Sequence, residues 1–217
     1  MKHLTRVAVV LAAVAATICP RTAAADAPRE GAQYVKLAHP QAVQERGGRE
    51  VVEFFWYDCE HSHRLEKPLE AWAARHADVR LRRVPAVWPD VPAMSGHARL
   101  YYTLERLGLV DRLQSAVFHA VRDQHTDLTT EDAAADWAAA QGIDRDGFTD
   151  AYESDQVARE TREAPALMER YEIPELPSLV VQGKYRTAPT LVGGVDHLIP
   201  VLDHLTRPQT PTPPKKK

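Results

Sequence analysis

From residue 51 to residue 57 the chain is apolar at every position except Glu53, and the run stops just short of Cys59. Such a run predicts a strand buried on both faces rather than one with a wet side. Residues 64–76 then place Leu65, Leu69, Ala71, Trp72 and Ala73 at helical spacing. Residues 79–84 alternate and are closed by Pro85, which predicts another strand. Strand, helix and strand in succession make a βαβ unit, for which a right-handed crossover is expected.

Around this unit the pattern changes twice. Residues 33–37 alternate well enough for a short edge strand, and a polar connection ending in Gly47 and Gly48 leads to the apolar run. Over residues 95–171 strand signals disappear. Leu100, Leu104, Leu107 and Leu109 recur at helical spacing, followed by Leu113, Val117 and Val121, then by residues 133–140 and 148–152. Residues 129–132 and 142–144 look like cap-and-turn punctuation between the helices, and residues 157–171 predict a longer helix. The stretch reads as an insertion of four or five helices. Residues 178–181 and 185–187 then predict an antiparallel hairpin around Gly183, and a last helix is expected over 195–205. The Pro/Thr-rich end with three lysines, residues 207–217, is expected to form a disordered tail.

The start of the chain reads as an export signal rather than as fold. Lys2 and Arg6 precede an apolar stretch over residues 7–18, and Ala23, Ala24 and Ala25 offer a small-residue cleavage site before Asp26. The apolar stretch is too short to span a bilayer. Cleavage near Ala25 would remove Cys19 and leave Cys59 as the sole cysteine of the two in the chain. An internal disulfide is then impossible, which is unusual for an exported protein. At 44% hydrophobic and 26% charged residues the composition is that of an ordinary globular domain, and a formal charge of −3 gives no reason to expect nucleic acid.

A strand that hands a cysteine to the start of a helix is a chemical device. The first N–H groups of a helix lack intrahelical partners and carry the positive end of the macrodipole, so a thiolate is favoured there. Asp58 and Glu60 flank Cys59 and oppose it. Glu53, buried in an apolar strand, must be protonated, paired or hydrogen-bonded, and its pKa is expected to rise. Cys59, His61 and His63 spell a Cys-x-His-x-His cluster, but His61 would point away from the other two, and neither metal nor other cofactor is expected.

Three motifs together resemble the DsbA family of periplasmic thiol–disulfide oxidoreductases. They are the strand into Cys59, the helix continuing through His63, Leu65, Pro68 and Leu69, and the segment from Ile173 through Pro177 to Tyr185. The resemblance implies an α/β fold, thioredoxin-like with an inserted all-helical subdomain: residues 33–94 and 172–206 form the thioredoxin-like part and 95–171 the insertion. It implies a cis bond between Leu176 and Pro177, with Leu176 offering backbone groups to an extended substrate. It also implies roles for Glu53 in proton movement, His61 in favouring the thiolate, and Trp56, Glu60, Leu176 and Pro177 in the substrate groove.

The departure lies in the tetrad, where the family has Cys-x-x-Cys and this chain has Cys59-Glu60-His61-Ser62. Ser62 can hydrogen-bond a thiolate but cannot attack a disulfide, so a two-cysteine oxidase cycle is excluded. Two readings follow. One is an exported monothiol interchange protein acting on thiol- or disulfide-bearing proteins and peptides in the periplasm, with glutathione or a membrane redox partner as co-reactant. The other is a redox-inactive peptide-binding or chaperone-like homologue.

Overall fold

A computed structural model describes residues 27–43 and 49–207. The expected export signal, Gly47 and Gly48, and the tail beyond Arg207 lie outside the described residues.

Five strands form one sheet in the order β1-β5-β4-β2-β3. They are β1 (Val35–Lys36), β2 (Arg49–Phe55), β3 (Val79–Pro85), β4 (Ser178–Val181) and β5 (Tyr185–Thr187). Strand β2 sits inside the sheet, parallel to β3 and antiparallel to β4. Both its edges are therefore hydrogen-bonded, and six of its seven residues are fully covered. Strand alternation divides its side chains between two cores. Val51 faces Leu65, Leu69 and Trp72, with Leu179 and Val181 of β4, while Val52 and Phe54 belong to the larger core on the other side.

The helices are α1 (Glu60–Ala74), α2 (Pro92–Arg106), α3 (Val110–Phe118), α4 (Glu131–Ala140), α5 (Arg145–Tyr152), α6 (Asp155–Arg170), the one-turn α7 (Pro189–Val192) and α8 (Leu198–Leu205). Helices α1 and α8 cover one face of the sheet. Trp72 crosses between them, fully buried, and its Nε1–H donates to Asp203 Oδ1 at 2.7 Å. Helices α2 to α6 come consecutively, and their Leu100, Leu104, Val117, Phe118 and Phe148 share the larger core with Val52, Phe54 and Phe55 of β2. Burying each such side chain contributes about 1.5–3 kcal/mol. Thr130, Asp144 and Ser154 cap α4, α5 and α6 by accepting backbone N–H bonds from Ala133, Gly147 and Val157.

Several expectations are corrected at their edges. The strand expected over residues 51–57 runs over Arg49–Phe55, because Trp56 and Tyr57 are covered by the helical insertion rather than by sheet: the Tyr57 hydroxyl donates to Gln114 Oε1 of α3 at 2.6 Å. The first helix begins at Glu60, directly after the cysteine as expected, and so takes in four residues ahead of the stretch 64–76. The strand expected over residues 33–37 shortens to two residues. A final helix is split into a 3₁₀ turn (Val195–His197) and α8, preceded by α7, whose four residues are too few to show a period. After α3 the chain makes a π-helical turn, His119–Asp123, which a 3.6-residue pattern does not reveal.

Candidate active site

The end of β2 fixes the cysteine. After Phe55 the chain turns, and the Cys59 N–H donates to the Trp56 carbonyl at 3.0 Å. Cys59 is the N-cap of α1, with extended backbone (φ −95°, ψ 118°), and its carbonyl accepts the His63 N–H at 3.0 Å. The side chain caps nothing. Its thiol points across to the loop before β4, donating to the Leu176 carbonyl at 3.7 Å. The Leu176–Pro177 bond is cis. Cys59 is half-buried and free, whereas Leu176 is only 9% exposed and meets the thiol through its carbonyl.

The other residues of the tetrad divide by burial. Ser62 is fully covered, and its Oγ accepts the Trp56 N–H at 3.4 Å, so the hydroxyl stabilises the turn and makes no hydrogen bond to the thiol. His61 is exposed, and among the described residues no hydrogen bond joins it to Cys59. His63 stacks on Phe118 at 5.5 Å and lies 3.7 Å from Asp123. Among the described residues no group of three or more His, Cys, Asp or Glu is placed to hold a metal ion.

Asp58 and Glu60 are not left to oppose the thiolate unaided. Arg122, from the π-helical turn, donates to Asp58 Oδ1 at 2.6 Å and to the Asp58 carbonyl at 3.1 Å, and its second nitrogen reaches Glu60 Oε2 at 3.4 Å. The bond to Asp58 raises the guanidinium above its ordinary value. One cation thus offsets two carboxylates beside Cys59, and it comes from the helical insertion. Sequence reasoning missed Arg122 because it lies about sixty positions from Cys59 and only the unread π turn aims it there.

Beneath the site lies a second cluster. Alternation in β2 turns Glu53 toward α1, and the parallel register places Arg83 directly opposite it. Arg83 Nε is 3.3 Å from Glu53 Oε2, while Arg83 Nη2 is 3.2 Å from Glu66 and 3.6 Å from Glu70. Three carboxyls therefore share one guanidinium, Glu53 and Glu66 out of water and Glu70 partly exposed. Burial pushes Glu53 up to about 7 despite Arg83, and burial together with the neighbouring Glu53 pushes Glu66 up to about 9. The cluster holds protons at neutral pH. Glu66 escaped the sequence reading because it sits beside Leu65 and Leu69 on a helix whose facing acid only the fold supplies.

A strand that delivers a cysteine to a helix start, facing a cis-proline loop across a mixed sheet with a helical insertion, defines a thioredoxin-fold thiol protein of the inserted type. A family model for the DSBA-like thioredoxin domain matches residues 50–198, and this chain belongs to that family. It is 36% identical to the thiol:disulfide interchange protein DsbA of Burkholderia cepacia over 183 residues, covering 83% of this chain and 85% of that one. Identity to the DsbA of Pseudomonas aeruginosa is 32% over 191 residues, covering 88% and 90%. Among solved structures, a crystal structure of Pseudomonas aeruginosa DsbA superposes with a TM-score of 0.76 at 32% identity, covering 82% of this chain and 93% of that one. Reduced DsbA1 from Neisseria meningitidis gives 0.72 at 28% identity, covering 83% and 94%.

Two predictions follow from the charges. The raised carboxyls bind protons in the folded chain at pH values where the unfolded chain has lost them. Their contribution to stability is complete below about pH 4 and is lost as pH rises through about 7 and 9, at up to about 1.4 kcal/mol per pH unit for each proton. Urea unfolding at pH 5, 7 and 9 is expected to show this decline, and Glu66→Gln, which keeps an oxygen for Arg83, to make it shallower. For Arg122, replacement by Gln exposes Cys59 to both carboxylates, each costing the thiolate about 0.7 kcal/mol at about 6 Å in water. Iodoacetamide alkylation of Cys59 at pH 7 is expected to slow about three- to tenfold, and Asp58→Asn in the same chain to recover part of the loss.

Proposed function

We propose that this chain is an exported thiol–disulfide interchange protein that works through one cysteine. The observation that carries the reading is the meeting of Cys59, at the N-cap of α1, with the Leu176 carbonyl of the cis-proline loop, while a buried serine stands where a second thiol would resolve the product. An extended substrate can pair with the Leu176 backbone as an added strand, which brings its sulfur to Cys59.

The exchange balances simply. The Cys59 thiolate attacks one sulfur of a substrate disulfide, a bond forms between Cys59 and that sulfur, and the other substrate sulfur leaves as a thiolate. Because Ser62 cannot attack, the mixed disulfide is released only by another thiol, either from the substrate, which isomerises it, or from outside, such as glutathione or a membrane redox partner. In this reading the buried Glu53–Glu66–Arg83 cluster, which holds protons near neutral pH, supplies Glu53's part in proton movement. His61 favours the thiolate through solvent, and Trp56, Glu60, Leu176 and Pro177 border the peptide. The thioredoxin-like part comprises residues 33–94 and 172–206, with residues 95–171 inserted. The leader-like start and the names of the relatives support a periplasmic address, and no described helix is long and apolar enough to cross a membrane.

A redox-inactive peptide-binding role has one observation in its favour. Beside the loop before Pro177, Trp88, Met168, Ile173 and Pro174 line an apolar cleft of about 260 Å³, which would hold a side chain whether or not the thiol reacts.

The two readings separate on incubation with a disulfide-bearing peptide. Mass spectrometry is expected to find a peptide adduct on Cys59 that persists until glutathione is added, and Ser62→Cys is expected to abolish the persistent adduct by closing an internal disulfide. Absence of an adduct on the native chain would leave only the binding role.

A further inference from the structure

A buried histidine beside the site has half its hydrogen bonding unmet. Trp56 Nε1–H donates to His97 Nδ1 at 2.9 Å. An indole nitrogen can only donate, so Nδ1 is the acceptor and the ring proton resides on Nε2. His97 is 4% exposed, and burial pulls its pKa down to about 4, so the ring is neutral at physiological pH. Its Nε2–H is buried and has no partner among the described residues. An unmet buried donor costs about 1–3 kcal/mol, which is the reason such groups are rare.

His97 also lines a cleft of about 360 Å³, with Asp58, Ala93, His125, Thr126, Asp127 and Thr129 around it. One wall is rigid: Gly96 of α2 lies so close to Thr129 that a Cβ on it would meet the Thr129 carbonyl. Asp127 Oδ1 accepts the Thr129 N–H at 2.9 Å and the Thr129 hydroxyl at 2.6 Å. Those bonds hold its carboxyl below the usual range, so it is ionised and Oδ2 remains an acceptor. Asp58 adjoins Cys59 in the chain, so a peptide bonded to Cys59 brings residues within a few positions of its cysteine to the cleft, at about 3.3 Å per residue.

The lining therefore offers a neutral donor and an anionic acceptor together. A carboxylate would suit the donor but is repelled by Asp127, whose charge no described cation pairs, Asp58 being held by Arg122. An ammonium or guanidinium would suit the acids but has nothing to accept the His97 proton. A carboxamide answers both, its oxygen accepting from Nε2–H and its NH₂ donating to Asp127. We propose that this cleft is a specificity subsite that takes the side-chain amide of a Gln or Asn lying near the reacting cysteine of a substrate peptide. The proposal rests on the exchange reading of Cys59 and names a substrate feature that reading leaves open.

The test uses peptides whose single cysteine is capped as a 2-thiopyridyl disulfide. The Cys59 thiolate attacks the peptide sulfur, the peptide–pyridyl S–S bond breaks, and the released 2-thiopyridone is followed by its absorbance. One series carries a single Gln at each of four positions on either side of the cysteine, and a matched series carries Leu there. The expected result is one position at which Gln reacts about tenfold faster than Leu. That ratio should fall to about one in Ala93→Phe, which fills the cleft from one helical turn before His97, and in His97→Phe. A ratio near one at every position in the native chain means that the cleft holds water only and overturns the proposal. So does a tenfold ratio that survives Ala93→Phe. If no peptide releases the chromophore, leucine controls included, the exchange reading itself fails and the subsite falls with it.

Discussion

Strand β2 is paired on both edges and packed on both faces, and the site is fixed by where that strand ends and which way its residues turn. Pairing with β4 brings the loop before Ser178 alongside the end of β2, so the Leu176 carbonyl meets the Cys59 thiol. Pairing with β3 sets Arg83 opposite Glu53. A slip of one residue in either ladder would turn Glu53 into the larger apolar core and part the thiol from the loop, because side chains alternate with a period of two. The dense burial of Val51, Val52, Phe54 and Phe55 is what prevents it.

Charge around the cysteine is arranged in two layers with opposite balance. At the surface one guanidinium, Arg122, faces two carboxylates in partial contact with water, and such pairs act mainly by cancelling one another's field. In the interior one guanidinium, Arg83, faces three carboxyls, two of them cut off from water, and the surplus is met by protons. The outer layer sets the charges beside the thiol, and the inner one is a store of protons a short way beneath. They are joined by α1, which starts at the thiol and carries Glu66 and Glu70 on its inner side. The helical insertion contributes directly to the outer layer, so it is part of the site and not only a lid upon the sheet.

Much of this was legible in sequence, and what was not has identifiable causes. The βαβ unit, the hairpin and the run of helices announce themselves because burial imposes periods of two and 3.6 on short contiguous stretches. Cys59 and Glu53 stand out because each breaks or ends such a pattern, and Ser62 because the resemblance leads one to look for a second cysteine there. Trp56 and Tyr57 extended the apparent strand, since a side chain covered by the insertion looks in sequence like one covered by sheet. Arg122 and His97 carried no signal. Each acts through a partner about forty to sixty positions away, and an arginine on a helix end or a histidine within a helix is ordinarily solvated or simply packed. The hydroxyl of Ser62, which is able to bond a thiolate, instead supports the Trp56 backbone, because the first turn of α1 turns that side chain inward.

The central claim is that chemistry at Cys59 halts at the mixed disulfide for want of an internal thiol. The direct measurement starts from purified protein already joined to a peptide through Cys59, and follows the rate of peptide release as the glutathione concentration is raised from zero. The account predicts a straight line through the origin, release being first order in external thiol. A finite rate at zero glutathione, with the peptide leaving as a free thiol, would mean that the chain resolves its own adduct and would contradict the account.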